Sequence, residues 1–559
     1  MKNVLFFVFS LTQVQCRNAF VLKRTIVQHH HSNIQEIIVR NPTQSFQLSS
    51  TSSSIYRSNG SRRMSSLLHH GVVSKSSPSH TVAIIGAGAA GLAAARVFSR
   101  NGIRPVVFEK ESETGGVWDY RANAKDRPMY KGLRTNLPRE IMAYREKPWG
   151  SDGLGPSFVR HQDVLQYLHE YSECFGLQKF ISYGCTVTQL EICKEETGPK
   201  SLIAHHHNTD DGPLCQIKIN WEQQHNSDTN GNKSQVVVDK HSSLFDAVCV
   251  CNGHYATPSI PSLPGMENFK GRIMHSIEYD DPSQFVNQNI LCVGGRASGA
   301  DLAREISAHA NKVYLSDTTC PQLPDGNPIQ KGNVFWVPRT ESIDDNSAIS
   351  FGESCGDRPN DIDVIIFCSG YDYNFPFINE RSNLTFHSVP GERRVSPLYE
   401  QLWHAEHVQL SFIGLPHSVV PFPFFELQAE AIVAQLLGSS TSSLPNTKER
   451  LAAATRDSIA GGPKPNGRIQ DTHFLGDYQW DFLRNYSKLA GNYDEEMENF
   501  ISTNKFIYDH AGKQRKILFP GGPDVYRNNI YRRKDKSQSF DVDKYEVDLT
   551  TPIVTSSTH

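Results

Sequence analysis

Two glycine-rich segments, far apart in the chain, have the residue spacing of turns that bind dinucleotides. The first runs from Val82 to Gly91 and the second from Ile290 to Asp301. In such a turn, one glycine allows the tight turn after a strand, one lets the backbone approach a pyrophosphate, and one lets the helix pack close to the strand. The helix N-terminus then attracts the phosphates. A chain that binds two dinucleotides can bring a flavin and a nicotinamide together, so the sequence favours redox catalysis.

The first segment has all three glycines, at Gly86, Gly88 and Gly91. Glu109 ends the next apolar run, where a carboxylate can accept hydrogen bonds from ribose hydroxyls. Residues 113–118 follow directly and contain two glycines and an indole, which suits a loop folded over an adenine dinucleotide. Because strand, turn, helix, strand and glutamate occur in this order, the prediction of a dinucleotide site is specific.

The second segment departs from the motif at its middle position. Arg296 stands there instead of glycine, between Gly294 and Gly299. A backbone that carries a side chain cannot approach phosphate as closely, although the guanidinium could itself bind a phosphate. Asp317 lies where the ribose-binding carboxylate is expected, and it favours NAD because it would repel a 2′-phosphate. The residues alone therefore leave the choice of nicotinamide cofactor open.

Composition limits the classes of function. The chain has 559 residues and a formal net charge of −3, which predicts two or more domains and gives no electrostatic reason to expect a nucleic-acid partner. The 11 cysteines form no C-x-x-C pair, and Cys249 and Cys251 lie in an apolar run typical of a strand. The sequence contains no apolar run of about twenty residues, so no transmembrane span is predicted. The histidines at 205–207 are interpreted as part of a solvated loop rather than as a metal site.

Residues 1–78 form a different kind of sequence and are excluded from the predicted fold. Lys2 precedes a short apolar run that suits a signal segment, and basic and serine-rich residues follow, with Glu36 as the one acidic residue. This order resembles bipartite targeting to a plastid, so an organelle or the secretory route is one expectation. The alternative is a disordered leader or a misassigned start codon, in which case the protein is cytoplasmic.

Apolar periodicity predicts the elements that position these residues. One βαβ unit begins at Thr81, and a second surrounds residues 290–316. The polar, interrupted stretch at 191–240 predicts a peripheral antiparallel sheet with long loops. From Lys534 onward we expect a charged, mobile tail. Helices are predicted over residues 90–101, 161–175 and 425–437.

A third motif lies between the two glycine-rich segments. Residues 269–279 match the pattern F-x-G-x-x-x-H-x-x-x-Y, which, with the two flanking dinucleotide motifs, resembles the flavin-containing monooxygenases. Asp280 replaces the basic residue that this family usually has after the tyrosine. We expect His275 to pack and orient the linker between domains rather than to act as a base. Further segments resemble the plant, fungal and algal branch of the family, at residues 115–118, 133–138, 368–371, 411–416, 424–428 and 475–480.

The resemblance implies an α/β fold with two Rossmann-like dinucleotide-binding domains, the NADP domain being inserted in the FAD domain. On this expectation the FAD domain comprises residues 79–257, with the polar insert at 191–240, and resumes at residues 411–516. The NADP domain occupies residues 258–410 between these two parts. Residues 517–559 then form a C-terminal tail.

The resemblance also implies the chemistry. NADPH reduces FAD, oxygen adds to the reduced flavin to give a 4a-hydroperoxide, and a soft nitrogen or sulfur nucleophile takes the distal oxygen. The expected partners are a small amine or sulfide and O2, and a homo-oligomer is left open. Asn136 is the expected catalytic residue, because its amide can hydrogen-bond the peroxide and prevent its loss as hydrogen peroxide. The expected cofactor-binding residues are Gly86, Gly88, Ala90, Gly91, Glu109, Lys110, Gly116, Val117, Trp118, Thr135, Asn136, Gly294, Arg296, Ser298, Gly299 and Gln428, and no metal ligand is expected.

Other functions share part of this pattern. A Baeyer–Villiger monooxygenase has tryptophan where Tyr279 stands, and a disulfide reductase needs a redox cysteine pair after the strand of Glu109, where the sequence has none. An uncoupled NAD(P)H oxidase or a flavin-loaded redox sensor would fit the departures from the pattern at Arg296, Asp317 and residues 368–369. Oxygen consumption with and without a thioether or a tertiary amine separates these alternatives.

Overall fold

The structure, a computed structural model, describes residues 81–149, 155–193, 215–227, 235–440, 443–460, 462–463, 467–533 and 545–546. The predicted leader and the segment with three histidines lie outside these residues, and targeting stays a prediction. No helix among the described residues combines the length and the apolar character that a membrane span requires.

The described residues alternate between strands and helices. The strands are β1 (Thr81–Ile85), β2 (Arg104–Phe108), β3 (Ile181–Ser182), β4 (Cys185–Ile192), β5 (Ile217–Ser227), β6 (Gln235–Phe245), β7 (Ala247–Val250), β8 (Thr257–Pro258), β9 (Arg272–His275), β10 (Asn289–Val293), β11 (Lys312–Ser316), β12 (Ile329–Lys331), β13 (Val334–Val337), β14 (Thr340–Ile343), β15 (Ile349–Phe351), β16 (Val364–Phe367), β17 (Tyr371–Asp372), β18 (Leu398–Tyr399), β19 (Trp403–His404), β20 (Leu410–Phe412), β21 (Arg532–Arg533) and β22 (Tyr545–Glu546). The helices are α1 (Ala89–Arg100), α2 (His161–Cys174), α3 (Ala297–Ser307), α4 (Pro421–Leu436), α5 (Thr447–Ala460), α6 (Gln479–Ala490) and α7 (Glu495–Lys516).

The first glycine-rich segment follows β1 in a seven-stranded sheet of order β18-β19-β20-β7-β1-β2-β3. The strands from β20 to β3 are parallel, whereas β18 and β19 pair antiparallel at one edge. Val82 and Ile84 belong to one apolar core, and Ala83 and Ile85 to another. Successive side chains of a strand point to opposite faces, so this sheet is covered on both sides, as an apolar parallel strand requires.

The second glycine-rich segment follows β10 in a separate six-stranded sheet of order β12-β13-β11-β10-β16-β9. This sheet is parallel except for β12 at its edge. Ile290 and Cys292 face one core, and Leu291 faces another. Two parallel sheets, each with a glycine-rich turn after a central strand, confirm the predicted α/β class with two Rossmann-like units.

Most predicted elements are confirmed, and the differences lie at their ends. α1 and α2 match the predicted helices to within one residue, whereas α4 begins at Pro421, four residues before the predicted start, because proline fits the first turn of a helix. The antiparallel sheet β4-β5-β6 is present but begins at Cys185, before the predicted insert. β18 and β19 join the first sheet ahead of residue 410, so the domain boundaries stay proposals.

Candidate functional site

The turn between β1 and α1 is built so that only glycine fits at two places. Gly86 has φ +104°, and a Cβ carbon there would lie 2.6 Å from the carbonyl oxygen of Cys251, just after the neighbouring strand β7. A Cβ carbon at Gly91 would lie 1.9 Å from the carbonyl oxygen of Gly86. The helix therefore begins as close to the strand as backbone atoms allow, with Ala90 half-buried against the core in its first turn. Its first amide groups are the positive end of a helix dipole.

A second backbone segment lies against this turn. A Cβ carbon at Gly116 would lie 3.0 Å from the Cα atom of Gly88, and Gly116 itself has φ +58°. Gly115 donates its amide hydrogen to the carbonyl oxygen of Ala87 at 3.2 Å. Val117 and Trp118 follow in a short 3-10 helix. Two glycines thus leave a surface of bare backbone at the N-terminus of α1, which a side chain would fill and which fits the diphosphate of a dinucleotide.

Glu109 is buried beside this cradle. Its carboxylate accepts hydrogen bonds from the amide of Ala87 at 2.6 Å and from the amide of Glu111 at 2.9 Å. Each carboxylate oxygen can accept a further hydrogen bond, so the group can also hold ribose hydroxyls. Lys110, in contrast, is exposed, with its ammonium 3.4 Å from a carboxylate oxygen of Glu111. The structure brings Glu109 to the turn and leaves the side chain of Lys110 on the surface.

Arg127 holds the Gly116 loop and was not identified from the sequence. Its guanidinium is buried, donates to the carbonyl oxygen of Gly116 at 3.0 Å, and forms ion pairs with Glu111 at 2.9 Å and with Asp119 at 3.3 Å. A buried guanidinium with three partners fixes the backbone it binds. No motif marks this residue, because its partners lie in a loop of irregular spacing.

The second turn has the same steric restriction to glycine as the first. Gly294 has φ +109°, and a Cβ carbon at Gly299 would lie 1.7 Å from the carbonyl oxygen of Gly294. Arg296 and Ser298 are exposed at the start of α3, with the Arg296 guanidinium 5.3 Å from the ring centroid of Phe474. Asp317 lies beside Gly295, where a Cβ carbon would be 2.5 Å from the carboxylate. The residues predicted for the nicotinamide cofactor are therefore brought together around the N-terminus of α3.

The segment of residues 133–138 lies between the two nucleotide-binding units. Thr135 is buried and forms a pair of hydrogen bonds with the backbone of Val159, at 2.8 and 3.1 Å. Leu133 packs on the core of the second sheet, whereas Leu137 packs on two cores of the first unit. The half-buried Asn136 is thereby held between them, and its side chain forms no hydrogen bond with another described residue.

The third motif makes its hydrogen bonds within the second unit, and its Tyr279 ring also contacts the ring of Tyr130, with centroids 5.2 Å apart. His275 is buried, donates from Nε2 to the carbonyl oxygen of Gly370 at 3.0 Å, and accepts at Nδ1 from the amide of Ile277 at 3.2 Å. Burial lowers the pKa of His275, so its imidazole is neutral near pH 7. Each ring nitrogen then forms one hydrogen bond with the backbone. Tyr279 is also buried and donates to Glu305 on α3 at 2.9 Å. The role predicted for His275, orienting the linker between the domains, stays a prediction.

Gln428 and three histidines lie near the chain that follows β20; His473 is buried, whereas His254 and His417 are half-buried. Gln428 accepts from the amide of Gly414 at 3.0 Å, so it positions the chain after β20. Burial, together with the charges of Arg296 and Arg393, lowers the pKa of His417 to about 4. Burial lowers the pKa of His254 and of His473 to about 3. These histidines are neutral near pH 7 and were not identified from the sequence, since no spacing connects them.

Two parallel sheets, each with a glycine-rich turn that fits a dinucleotide diphosphate, indicate an oxidoreductase that uses two dinucleotides. A family model described as flavin-binding monooxygenase-like matches residues 79–210, 221–323 and 321–460. The chain is 32% identical over 434 residues to flavin-containing monooxygenase FMO GS-OX5 of Arabidopsis thaliana, covering 73% of this chain and 84% of that protein. It is 32% identical over 383 residues to FMO GS-OX-like 4 of the same plant, covering 64% of this chain and 76% of that protein.

Solved structures agree. The S-allyl-L-cysteine S-oxygenase from Allium sativum superimposes with a TM-score of 0.65 at 28% identity, covering 81% of this chain and 96% of that one. The Tmm protein from Pelagibacter sp. strain HTCC7211 gives a TM-score of 0.59 at 22% identity, with coverages of 82% and 95%, and shows the same fold. The chain belongs to the flavin-containing monooxygenase family. It is an FAD-binding, NADPH-dependent monooxygenase, and the family resemblance and both cofactors predicted from the sequence are confirmed.

Proposed function

We propose that the enzyme oxygenates soft nucleophiles, a thioether sulfur first and a tertiary amine nitrogen second. The similarity to a solved S-oxygenase at 28% identity supports sulfur as the first choice. The observation that carries the proposal is the position of Asn136. Its segment packs on the cores of both nucleotide-binding units, and its amide has no hydrogen-bond partner among the described residues.

The residues divide into two binding groups. Gly88, Gly116 and the N-terminus of α1 would hold the diphosphate of FAD, and Glu109 its ribose. The N-terminus of α3, with Arg296, would hold the phosphates of NADPH. Bound FAD, once reduced, supplies the oxygen-activating chemistry. The tasks left to the protein are to bind both cofactors in register, to exclude water and to supply hydrogen bonds at their meeting point.

Asn136 suits the last of these tasks. An amide side chain offers two donor hydrogens and one acceptor oxygen, so it can bind a partner on each side. A half-buried amide that no described protein group occupies can bind a ligand or water. A bound cofactor or substrate at this position would satisfy it. We therefore assign Asn136 the role of holding the reacting groups and limiting the loss of oxygen as hydrogen peroxide.

A substrate panel tests the function. Purified holoenzyme is reduced anaerobically with NADPH, reoxygenated, and supplied with S-allyl-L-cysteine, N,N-dimethylaniline or a cyclic ketone. We expect NADPH consumption matched by sulfoxide or N-oxide formation, with the thioether preferred. Ester formation from the ketone would instead establish Baeyer–Villiger chemistry. Stoichiometric hydrogen peroxide with every substrate would establish an oxidase, and absence of turnover with intact FAD would favour a redox sensor.

A substitution tests the role of the amide. In Asn136→Ala we expect retained FAD and a larger fraction of NADPH oxidised to hydrogen peroxide. Asn485→Ala is the matched control, because Asn485 is also half-buried but donates to Glu400 at 2.8 Å, away from both glycine-rich turns. Equal coupling of NADPH use to product formation in Asn136→Ala and wild type would contradict the assignment.

A further inference from the structure

The residues after α7 form a strap across both nucleotide-binding units. We call residues 518–531 the C-terminal strap. At its start, Phe519 packs on the core of the second sheet and lies edge-on to Trp336, with ring centroids 6.1 Å apart. Gly521 fits against α3, because a Cβ carbon there would lie 3.2 Å from Cβ of Ala303. From the sequence these residues were expected to belong to a tail, and the structure shows them packed on the second unit.

The far end of the strap packs on the first unit. Tyr526 and Tyr531 are buried in the core that contains β1 and α1. The ring of Phe158 lies edge-on to Tyr526 at 5.3 Å, and the amide of Tyr531 donates to the hydroxyl of Ser157 at 2.8 Å. Val159, two residues after Ser157, accepts from the amide of Thr135 and donates to its hydroxyl, so the strap ends next to the segment that carries Asn136.

Arg527, in the middle of the strap, connects the two units directly. Its side chain is 1% exposed. It donates from Nε to the carbonyl oxygen of Thr135 at 2.9 Å, and its two other nitrogens donate to the two carboxylate oxygens of Asp301 at 3.0 and 2.7 Å. Asp524 accepts a further hydrogen bond at 2.9 Å. In return, Arg134 donates to the carbonyl oxygen of Arg527 at 3.2 Å.

The contacts of Arg527 connect the segment that carries Asn136 to the start of α3. Thr135 is the residue before Asn136, and Asp301 lies in the first half of α3, just after the turn that contains Arg296 and Gly299. A planar guanidinium that binds a carboxylate in a bidentate manner fixes both distance and angle. Because the guanidinium is buried, loss of the Arg527–Asp301 pair would be compensated only in part, by Asp524 at 2.9 Å from Arg527 and by Arg304 at 2.7 Å from Asp301.

We propose that Arg527 is a positioning residue that sets the register between the Asn136 segment and the N-terminus of α3, and so between the two cofactors. The inference rests on the proposed function. Arg527 lies outside the residues that the family model matches, which end at residue 460. It does not contact the cradle of Gly88 and Gly116, so it should affect NADP⁺ binding and coupling rather than FAD retention.

The test uses full-length holoenzyme with Arg527→Gln, and with Arg527→Lys as the conservative variant. The measurements are FAD content, NADP⁺ affinity from the perturbation of the flavin absorbance, and hydrogen peroxide released per NADPH. Displacements of about 1 Å at a reacting centre can cost up to about 100-fold. We expect the Kd for NADP⁺ and the peroxide-to-product ratio to rise by about 10-fold or more in Arg527→Gln. FAD content should stay at the wild-type level, and Arg527→Lys should restore part of the loss.

A matched control separates register from general stability. Arg484→Gln removes another bidentate pair, with Glu498 at 2.8 Å, between α6 and α7. It should leave NADP⁺ affinity unchanged. Asp301→Asn keeps the shape of the side chain and is the milder variant to use if Arg527→Gln does not fold. If both variants fold, their effects on NADP⁺ affinity should be non-additive in a double-mutant cycle.

The proposal is overturned if Arg527→Gln and Asp301→Asn bind NADP⁺ and couple like wild type. It is also overturned if both variants change NADP⁺ affinity no more than Arg484→Gln does. NADP⁺ titration needs no substrate. A wild type that binds NADP⁺ but oxygenates neither thioether nor amine would therefore refute the proposed function, while the effect of Arg527 on affinity would still be measured.

Discussion

The two glycine-rich turns can be disabled one at a time by a single methyl group. In Gly91→Ala the new carbon would lie 1.9 Å from the Gly86 carbonyl oxygen, and in Gly299→Ala it would lie 1.7 Å from the Gly294 carbonyl oxygen. The obstacle is backbone in both cases, so strand and helix must separate by about 1 Å, and such overpacking costs about 1–3 kcal/mol. If that free energy is lost from cofactor binding, Kd rises by about 5-fold to 150-fold.

The two variants should fail differently. Gly91→Ala should purify with reduced FAD content, measured as the ratio of flavin to protein absorbance. Gly299→Ala should keep its FAD but require much more NADPH for half-maximal anaerobic flavin reduction. The control is Gly512→Ala in α7, where a Cβ carbon meets no atom within 4 Å, so alanine should stabilise the helix by about 0.5–1 kcal/mol.

Two outcomes would refute the steric reasoning. One is a Gly91→Ala protein with wild-type FAD affinity, since the close approach of α1 to β1 would then be unimportant for binding. The other is loss of FAD in Gly299→Ala with unchanged response to NADPH, since the two turns would then have the opposite roles.

Three further predictions follow from single contacts. Arg127→Met should lower FAD affinity, because the Gly116 loop loses its buried clamp, and dialysis followed by flavin absorbance measures this; unchanged retention would contradict it. Tyr279→Phe should destabilise the fold by about 1 kcal/mol through the lost hydrogen bond to Glu305, seen as a lower urea midpoint. Burial lowers the pKa of His473 to about 3 and that of His404 to about 4. The unfolded chain therefore binds more protons as pH falls below about 6.5, so stability should fall between about pH 6.5 and about pH 4. A urea midpoint that does not change over this window would rule that out.

Local patterns predicted the parts of the fold in which neighbours in sequence are neighbours in space. The β1–α1 and β10–α3 units, α2 and the position of Glu109 at the first turn depend on residues within one supersecondary unit, so spacing and periodicity suffice. Arg127 and Arg527 could not be predicted in this way. Arg527 binds Asp301 across 226 residues of sequence, and neither position belongs to a periodic pattern that requires the other. A charged residue in a presumed tail is also interpreted by default as a solvated one.

The departure at Arg296 has a structural reason that the motif alone does not contain. In the first turn the middle glycine, Gly88, faces a second backbone segment, and a Cβ carbon at Gly116 would lie 3.0 Å from its Cα atom. In the second turn the equivalent residue is exposed, with the ring of Phe474 as its neighbour. A Cβ carbon at Gly88 would make an ordinary contact, 3.5 Å from the Cα atom of Gly116, so a long side chain there would meet the Gly116 loop, whereas Arg296 is exposed. The first and third glycines are required in both turns, because a Cβ carbon on the third would clash with the carbonyl oxygen of the first. The irregular motif is consistent with a nucleotide site whose phosphates meet a guanidinium instead of a second loop.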